Sequence, residues 1–417
     1  MKQKSSGEAK PFSHRKSKKR VRLLRSDGKP LAGETFRAVQ VRHEFLFGCG
    51  GFFGVEMEGG YGPLSRERKK FLMNRFEKTV ALNNFVTLPF YWGDYERVEG
   101  KPRRDETLAA ARMFAERGVV SKGHPLCWHF VRHDWLMAYG DEEILARQLE
   151  RIRREVGEFA GAIEMWDVIN EAVIMPDFDE KYYDNPLTRV CKKIGRLELI
   201  KKVFAAAREA SLTATLLIND FDTSPAYERL IEESLGAGVP INAIGIQTHQ
   251  HKGYLGREKF EEILERFSRF KLPLHFTENT LVSGEIMPEE ADHANYNPPE
   301  WPSTSEGEER QKREMLEIYE LLFSHPCVAA VTNWEMADGG WLNAPAGFLR
   351  ADNGAKPVYD ALAEKINGEW RTEAELTTDG NGEAELYGFR GDYVLSADGR
   401  KASLTLDDKE ELIQIVI

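Results

Sequence analysis

The feature that most constrains the fold of this chain is a repeated alternation of short apolar segments with amphipathic helical patterns. The helical patterns include 66–81, 142–159 and 308–323. Eight apolar segments between them have the length and composition of buried parallel strands: 45–49, 84–88, 119–127, 162–169, 214–219, 243–248, 274–277 and 328–333. Eight strands that alternate with helices predict an α/β fold, a closed (β/α)8 TIM barrel, in which 358–366 supplies the last helix.

The two ends of the chain have another pattern, in which short alternating segments are separated by turn residues. Residues 19–44 predict a β-hairpin, and residues 369–417 predict further short strands. Neither piece is large enough to bury a core alone, so we expect them to form one small accessory β-module from both chain termini. Residues 45–368 then form the barrel. Residues 1–18 are polar and basic and predict a disordered tail, for which nucleic-acid binding is the less favoured interpretation.

Composition excludes several classes of function. The formal net charge of -11 argues against nucleic acid as the main partner. No apolar run approaches the ~18 residues of a membrane span. Four cysteines lie far apart without the spacing of metal ligands, which predicts free thiols and no zinc site. The N-terminus lacks a hydrophobic signal core, so we expect a cytoplasmic protein if the chain is complete at Met1, and a secreted one if a leader has been removed.

Two of the strand candidates end in a glutamate. Segment 162–169 continues into Asn170 and Glu171, and segment 274–277 continues into Glu278. The carboxyl ends of barrel strands face the loops that build active sites. Two carboxylates that converge on one bond are what glycoside hydrolysis needs. Either glutamate alone could simply solvate a strand end, but two strands that end in the same way favour the catalytic interpretation.

The other strand ends also carry polar and aromatic residues. Aromatic faces stack on sugar rings, and amides and imidazoles bind hydroxyl groups, so this composition suits a carbohydrate. The alternative for the histidines at these ends is a satisfied core histidine, and for Trp341 it is simple packing. The stretches concerned are 124–129, 219–222, 247–249 and 334–341.

In their order and spacing, seven motifs resemble glycoside hydrolase family 10, the retaining endo-β-1,4-xylanases. They are HPLCWH (124–129), WDVINE (166–171), NDFD (219–222), IGIQTH (244–249), FTEN (276–279), TNWEMADGGW (332–341) and LRADNGAKPVY (349–359). The resemblance covers roughly residues 45–368. It implies cleavage of β-1,4-xylosidic bonds in xylan or xylo-oligosaccharides, without a metal or another cofactor.

The resemblance also implies a role for each site residue. Glu171 is the expected general acid/base, and Glu278 is the expected nucleophile. Asn170 should bind the sugar 2-hydroxyl, His249 should orient Glu278, and Gln247 should lie close to Glu171. The full set of substrate-binding positions implied is His124, Trp128, Asn170, Gln247, His249, Trp334 and Trp341.

This sequence departs from the family pattern in three places. At the end of the second strand, residues 87–92 lack the Glu, Asn and Lys of a Glu-Asn…Lys-Trp pattern, and mostly aromatic residues stand in their place. Phe90 and Tyr91 either contact the sugar or pack under a loop. Asn279 and Thr280 replace a Leu-Asp pair, which removes a carboxylate near His249. The segment 283–310 is long, and it either shapes the site or is a solvated excursion.

The altered second strand leaves the substrate open, because lost hydrogen-bonding partners change selectivity strongly. A retaining glycosidase that acts on another β-glycan or on a decorated oligosaccharide is therefore an alternative. A carbohydrate-binding pseudoenzyme is a second alternative, and the presence of both Glu171 and Glu278 argues against it.

Overall fold

The computed structural model describes residues 12–130, 134–180, 185–293, 295–409 and 411–417. The chain divides into two compact units. One consists of Phe47–Ile318 and Cys327–Tyr359, and the other of Met1–Leu46, Tyr319–Pro326 and Asp360–Ile417. The sequence predicted a barrel domain of residues 45–368, whereas the last segment of the larger unit ends at Tyr359.

Strands and helices alternate through the larger unit, and strands predominate in the smaller one. In chain order the strands are β1 (Lys16–Leu24), β2 (Thr35–His43), β3 (Leu46–Gly50), β4 (Phe85–Pro89), β5 (Val120–His124), β6 (Met165–Asn170), β7 (Thr215–Asp220), β8 (Ala243–Gln250), β9 (Leu274–Leu281), β10 (Val328–Asn333), β11 (Glu373–Thr377), β12 (Glu383–Phe389), β13 (Gly391–Ala397), β14 (Arg400–Leu406) and β15 (Leu412–Val416). The helices are α1 (Phe52–Met57), α2 (Arg66–Leu82), α3 (Trp92–Tyr95), α4 (Arg104–Ala115), α5 (Asp134–Met137), α6 (Asp141–Glu158), α7 (Pro186–Ile194), α8 (Arg196–Ala210), α9 (Pro225–Gly236), α10 (Arg257–Ser268), α11 (Ser305–Ser324) and α12 (Pro357–Glu364).

The strands of the larger unit form a closed barrel in the order β10-β3-β4-β5-β6-β7-β8-β9. Each described pairing between neighbouring barrel strands is parallel. Every residue of β4 and of β9 is buried, as expected when helices cover the outside of a barrel and side chains fill its inside. The predicted (β/α)8 barrel is therefore confirmed.

Helix α2 shows how the local sequence specifies these helices. The side chain of Ser65 accepts a hydrogen bond from the Arg68 N–H and so caps the helix N-terminus. The buried positions Leu72, Phe76 and Thr79 recur every three to four residues, which places them on one face. The opposite face of α2 is exposed and charged. None of the helices formed by the described residues is long and apolar enough to cross a membrane.

The smaller unit contains two sheets, with strand orders β12-β1-β15 and β11-β2-β13-β14. Both ends of the chain contribute to each sheet, which confirms the predicted accessory β-module. Alternate residues of its strands point inward and form one core. This core includes Val21, Leu23, Phe36, Ala38, Leu386, Tyr393, Leu395, Leu404, Leu406 and Ile415.

Two details of the predicted N-terminal segment are wrong. β1 and β2 do not form a hairpin, because β12 and β15 occupy the two edges of β1 while β11 and β13 flank β2. The expected disordered tail is ordered from residue 12, and β1 begins at Lys16. The amine of Lys19 is buried beside Asp407 at 2.6 Å, which shows why basic residues are tolerated in this strand. Residues 1–11 lie outside the described residues.

Candidate active site

The carboxyl ends of the barrel strands surround an open cleft with a volume of about 1740 Å³. All nine residues that the sequence predicted as site residues line it: His124, Trp128, Asn170, Glu171, Gln247, His249, Glu278, Trp334 and Trp341. They come from five different strand ends, so only closure of the barrel brings them together.

Glu171 follows β6 directly and has a φ of 55°, a left-handed conformation that residues with a Cβ rarely adopt. Its Oε2 accepts a hydrogen bond from Trp128 Nε1 at 2.9 Å. Its Oε1 accepts one from Asn170 Nδ2 at 3.1 Å and one from Gln247 Nε2 at 3.3 Å. Burial raises the pKa of Glu171 to about 7; the charge of Glu278 adds to this rise, and the Trp128 hydrogen bond opposes it.

Glu278 lies in β9, and its environment has the opposite effect. Its Oε1 accepts a hydrogen bond from Asn219 Nδ2 at 2.9 Å, and its Oε2 lies 3.2 Å from His249 Nε2. Burial raises the pKa of Glu278, but His124 and His249 more than offset this, so the pKa lies below the ordinary value for a glutamate. The two glutamates thus differ in their affinity for a proton, which is the basis for dividing acid and nucleophile roles between two carboxyl groups.

Asn219, at the end of β7, connects the two glutamates, although the sequence did not single it out as a site residue. Its Nδ2 donates to Asn170 Oδ1 at 2.7 Å as well as to Glu278, and its Oδ1 accepts the hydroxyl of Thr277 at 2.6 Å. A Cβ on Gly245 would lie 2.2 Å from Asn219 Oδ1, so the glycine leaves room for this amide. The position of Asn219 at a polar strand end was the available signal.

A buried charge pair holds His124 in place. His124 Nδ1 lies 2.7 Å from Asp167 Oδ2, and Lys122 Nζ lies 2.5 Å from the same oxygen. Burial raises the pKa of Asp167, but Lys122 and then His124 bring it below its usual value. His124 Nε2 points towards Glu278 Oε1 at 3.8 Å. The contact with Asp167 therefore fixes the orientation of the His124 ring, and the ring faces Glu278. His124 is not a core histidine that serves packing alone.

Besides Glu278, His249 has a hydroxyl partner in place of the second carboxylate that the family pattern would supply. Its Nδ1 lies 3.3 Å from the hydroxyl of Thr280. The ring of Trp341 packs against His249 at a centroid distance of 4.5 Å, and Trp334 lies at 6.2 Å. A hydroxyl therefore stands where a negative charge was expected, and the two tryptophans form a wall of the cleft beside the histidine.

The consecutive residues Phe90 and Tyr91 have different environments. Phe90 is fully buried against Tyr95, Phe159 and Trp166, so the packing interpretation is correct for it. Tyr91 lines the cleft, with its ring 5.5 Å from those of His124 and Trp128. The end of the second barrel strand therefore presents one phenol ring to the cleft.

The long segment after β9 also reaches the cleft. Residues 290–293 and Asn295 line it, and α11 begins at Ser305. Met287 and Trp301 pack with Ala344 and Ala346 of the segment after β10 in a small apolar cluster. The segment is thus a packed wall of the cleft, and the site-shaping interpretation is correct for residues 290–295 as far as the structure describes them.

The sequence also matches a known protein family. The family model for Glycosyl hydrolase family 10 matches residues 63–365. A "Beta-1,4-xylanase" of Dictyoglomus thermophilum is 30% identical over 230 residues, which is 54% of this chain and 62% of the relative. An "Endo-1,4-beta-xylanase/feruloyl esterase" of Xylanibacter ruminicola is 30% identical over 230 residues, 49% of this chain and 32% of the relative. The match thus spans less than two thirds of either relative.

A solved structure agrees on the fold. The family 10 structure from Paenibacillus barcinonensis superposes with a TM-score of 0.63 at 21% identity, over 78% of this chain and 96% of that one. At this identity the likeness shows the barrel alone, whereas the family model covers well over half of the sequence. The chain therefore belongs to glycosyl hydrolase family 10.

Proposed function

We propose that this protein is a retaining, endo-acting hydrolase that cleaves β-1,4-xylosidic bonds in xylan or xylo-oligosaccharides by double displacement. The observation that carries the mechanism is the pair Glu171 and Glu278 in one cleft, with the pKa of one raised to about 7 and that of the other lowered. The substrate is supported by the relatives, whose names describe β-1,4-xylanases.

In the first step, Glu278 is ionised and attacks the anomeric carbon of the sugar. The bond from that carbon to the leaving oxygen breaks, and protonated Glu171 donates its proton to this oxygen. The products of the step are a free sugar end and an ester between the glycone and Glu278. The raised pKa of Glu171 supports this role, because an ordinary glutamate is ionised at neutral pH.

In the second step, Glu171 is a base that takes a proton from water while the water oxygen attacks the anomeric carbon and releases Glu278. The charge of Glu278 is one cause of the raised pKa of Glu171. Ester formation removes that charge, so the pKa of Glu171 falls when it must accept a proton. One carboxyl group can therefore serve first as acid and then as base.

Asn170 is oriented for a contact with the sugar 2-hydroxyl. Its Oδ1 accepts hydrogen bonds from Asn219 Nδ2 at 2.7 Å and from Gln247 Nε2 at 3.0 Å, which fixes the direction of its NH₂ group. One N–H of that group donates to Glu171 Oε1, and the other has no acceptor among the described residues and can bind a ligand. We assign His249 to orienting Glu278, and Trp334 and Trp341 to covering the sugar.

One observation favours the alternative that the substrate is another β-glycan or a decorated oligosaccharide. Thr87 and Leu88, at the end of β4, are fully buried and offer nothing to a ligand. Where the family pattern has Glu-Asn…Lys-Trp, this chain presents the aromatic ring of Tyr91 to the cleft. The pseudoenzyme alternative has no such support, because both carboxyl groups are present with divergent pKa values.

We propose a carbohydrate as the partner. A cytoplasmic location, with imported oligosaccharides as substrates, stays a prediction.

The test is product analysis on xylo-, gluco-, manno- and arabino-oligosaccharides, with Glu278→Ala as the inactive control. Cleavage of internal xylosidic bonds, with the β-anomer formed first by NMR, is the expected result. Cleavage of another sugar would reassign the substrate and keep the mechanism. Binding without any cleavage by the unmodified protein would refute catalysis and favour the pseudoenzyme.

A further inference from the structure

The cleft has two chemically different sides. Beyond Glu171 and Trp128 the lining contains aromatic rings: Phe130 stacks on Trp128 at 5.1 Å, and Phe221 is exposed. Around β10, β3 and β4, on the other side of the barrel, the lining contains charged groups, among them Arg75 and Glu335. In the proposed mechanism the acid Glu171 faces the leaving group, so the charged side faces the glycone.

Glu335 directly follows Trp334 at the end of β10 and is half-buried in the wall of the cleft. Its Oε1 accepts the backbone N–H of Trp341 at 2.6 Å, which fixes the carboxyl group. Its Oε2 has no hydrogen-bond partner among the residues that the structure describes. A Cβ on Gly340 would lie 1.9 Å from this oxygen, so a residue other than glycine would displace the carboxyl group.

The other carboxylates on this side of the cleft already have cationic partners. Glu56 accepts two hydrogen bonds from Arg68, at 2.7 and 2.8 Å. Asp338 lies 2.5 Å from Lys356 Nζ. Glu335 has no ion pair with any described residue, and burial raises its pKa to about 7 against the opposing effects of the Trp341 N–H and of Arg75. Its hydrogen-bonding capacity is therefore incompletely used within the protein.

Arg75 supplies donors on the same side. Its Nε donates to Asn353 Oδ1 at 2.8 Å, and its guanidinium group lies 5.3 Å from the centre of the Phe71 ring. Within the described part of the chain, its Nη1 and Nη2 groups have no hydrogen-bond acceptor. Arg75 is not within ion-pair distance of Glu335 but is close enough to lower the pKa of that carboxyl group. An acceptor and a donor thus line the cleft without forming an ion pair with each other.

We propose that Glu335 and Arg75 are specificity-determining residues that bind the hydroxyl groups of a second glycone sugar, the unit next to the one attacked by Glu278. This inference rests on the proposed function, because the roles of Glu171 and Glu278 assign the two sides of the cleft. A carboxyl acceptor and guanidinium donors in the wall of one cleft can bind the hydroxyl groups of a neutral pyranoside. Phe52, whose ring lies 5.9 Å from that of Tyr91, adds apolar surface to the same cleft.

The location of these groups compensates for the apolar end of β4. Thr87 and Leu88 are buried, so the second strand provides no carboxylate or amide there. In this proposal the end of β10 and α2 supply the polar groups that the end of β4 lacks. A site that holds polar groups for a sugar hydroxyl discriminates against ligands that lack it, because those groups are then left unpaired.

The test compares an aryl β-xylobioside with an aryl β-xyloside that has the same leaving group. Only the first places a second sugar on the glycone side. We expect Glu335→Ala and Arg75→Met each to lower kcat/KM on the xylobioside about 10- to 100-fold, the range for a lost hydrogen bond to a charged group. On the xyloside the change should be less than about 2-fold, and Glu335→Gln should lie between Glu335→Ala and the unmodified protein.

Glu67→Gln is the matched control, because it removes the same charge from the exposed start of α2, outside the cleft. It should leave both substrates unchanged. Equal losses on both substrates in Glu335→Ala would mean that Glu335 acts on the first sugar or on the fold, and this would overturn the proposal. An unchanged ratio of the two kcat/KM values would overturn it as well.

Calorimetric titration with xylobiose gives a readout that does not depend on turnover. In the Glu278→Ala background, adding Glu335→Ala should weaken xylobiose binding at least about 10-fold. An unmodified protein that cleaves neither aryl glycoside would refute the proposed function. In that case the xylobiose affinity alone would test the role of Glu335. A lower affinity in Glu335→Ala would support the role, and an unchanged affinity would refute it.

Discussion

Replacing Trp128 with phenylalanine tests the origin of the raised pKa of Glu171. Trp128 Nε1 donates to Glu171 Oε2 at 2.9 Å, and this bond is the largest effect that opposes burial. A hydrogen bond to the ionised form stabilises that form and lowers the pKa, so its loss must raise the pKa. Hydrogen bonds to charged groups contribute about 1.5–3 kcal/mol, which corresponds to roughly one to two pKa units.

The assay is the pH dependence of kcat/KM on the aryl β-xyloside, because its basic limb reports the acid of the free enzyme. In the unmodified protein we expect this limb near the Glu171 pKa of about 7. In Trp128→Phe it should move to higher pH by about one unit, with a lower maximum because the indole also lines the sugar site.

Two controls make this result interpretable. Glu335 also has a pKa of about 7, so the profile should be repeated with Glu335→Gln, in which a limb at the same pH identifies Glu171 as the titrating group. Trp334→Phe shortens another tryptophan of the cleft that has no hydrogen bond to Glu171 among the described residues, and it should lower the rate without moving the limb. A limb that stays in place or moves to lower pH in Trp128→Phe would refute the reasoning.

Three further changes test other parts of the site. Asn219→Ala removes donors to both Asn170 and Glu278; we expect it to raise the pKa of Glu278, so the acidic limb of kcat/KM should move to higher pH, and an unmoved limb would contradict this. Lys122→Met leaves Asp167 buried without its cation; it should destabilise the fold by about 3–5 kcal/mol in urea unfolding, whereas a loss below about 1 kcal/mol would show that His124 suffices. Gly340→Ala places a Cβ where Glu335 Oε2 lies; it should reproduce the selective loss on the xylobioside, and normal kinetics would show that the carboxyl group has another position.

Hydrogen bonds connect the two glutamates through two asparagines. Asn219 donates to Glu278 and to Asn170, and Asn170 in turn donates to Glu171. A shift of any one of these side chains alters the hydrogen bonding of both carboxyl groups. Effects of substitutions within this network are therefore expected to be non-additive, which double-variant kinetics can measure.

The sequence alone was sufficient to predict the barrel and to place the two glutamates at strand ends. The periodicity of buried strands and amphipathic helices is a local property, and so is the position of a residue at a strand end. Because the carboxyl ends of all barrel strands meet on one face, knowing that Glu171 and Glu278 end their strands was enough to expect them in one cleft. The same argument placed His124, Gln247 and Trp334 there.

Only the tertiary structure decided which neighbours those groups have. Strand pairing is non-local, so the pattern of the N-terminal segment could not reveal that β1 and β2 belong to different sheets. The direction in which Phe90 and Tyr91 point depends on how the chain turns after β4. Whether a carboxyl group such as Glu335 has a partner depends on residues far away in sequence, because burial and charge at a site are sums over everything that packs around it.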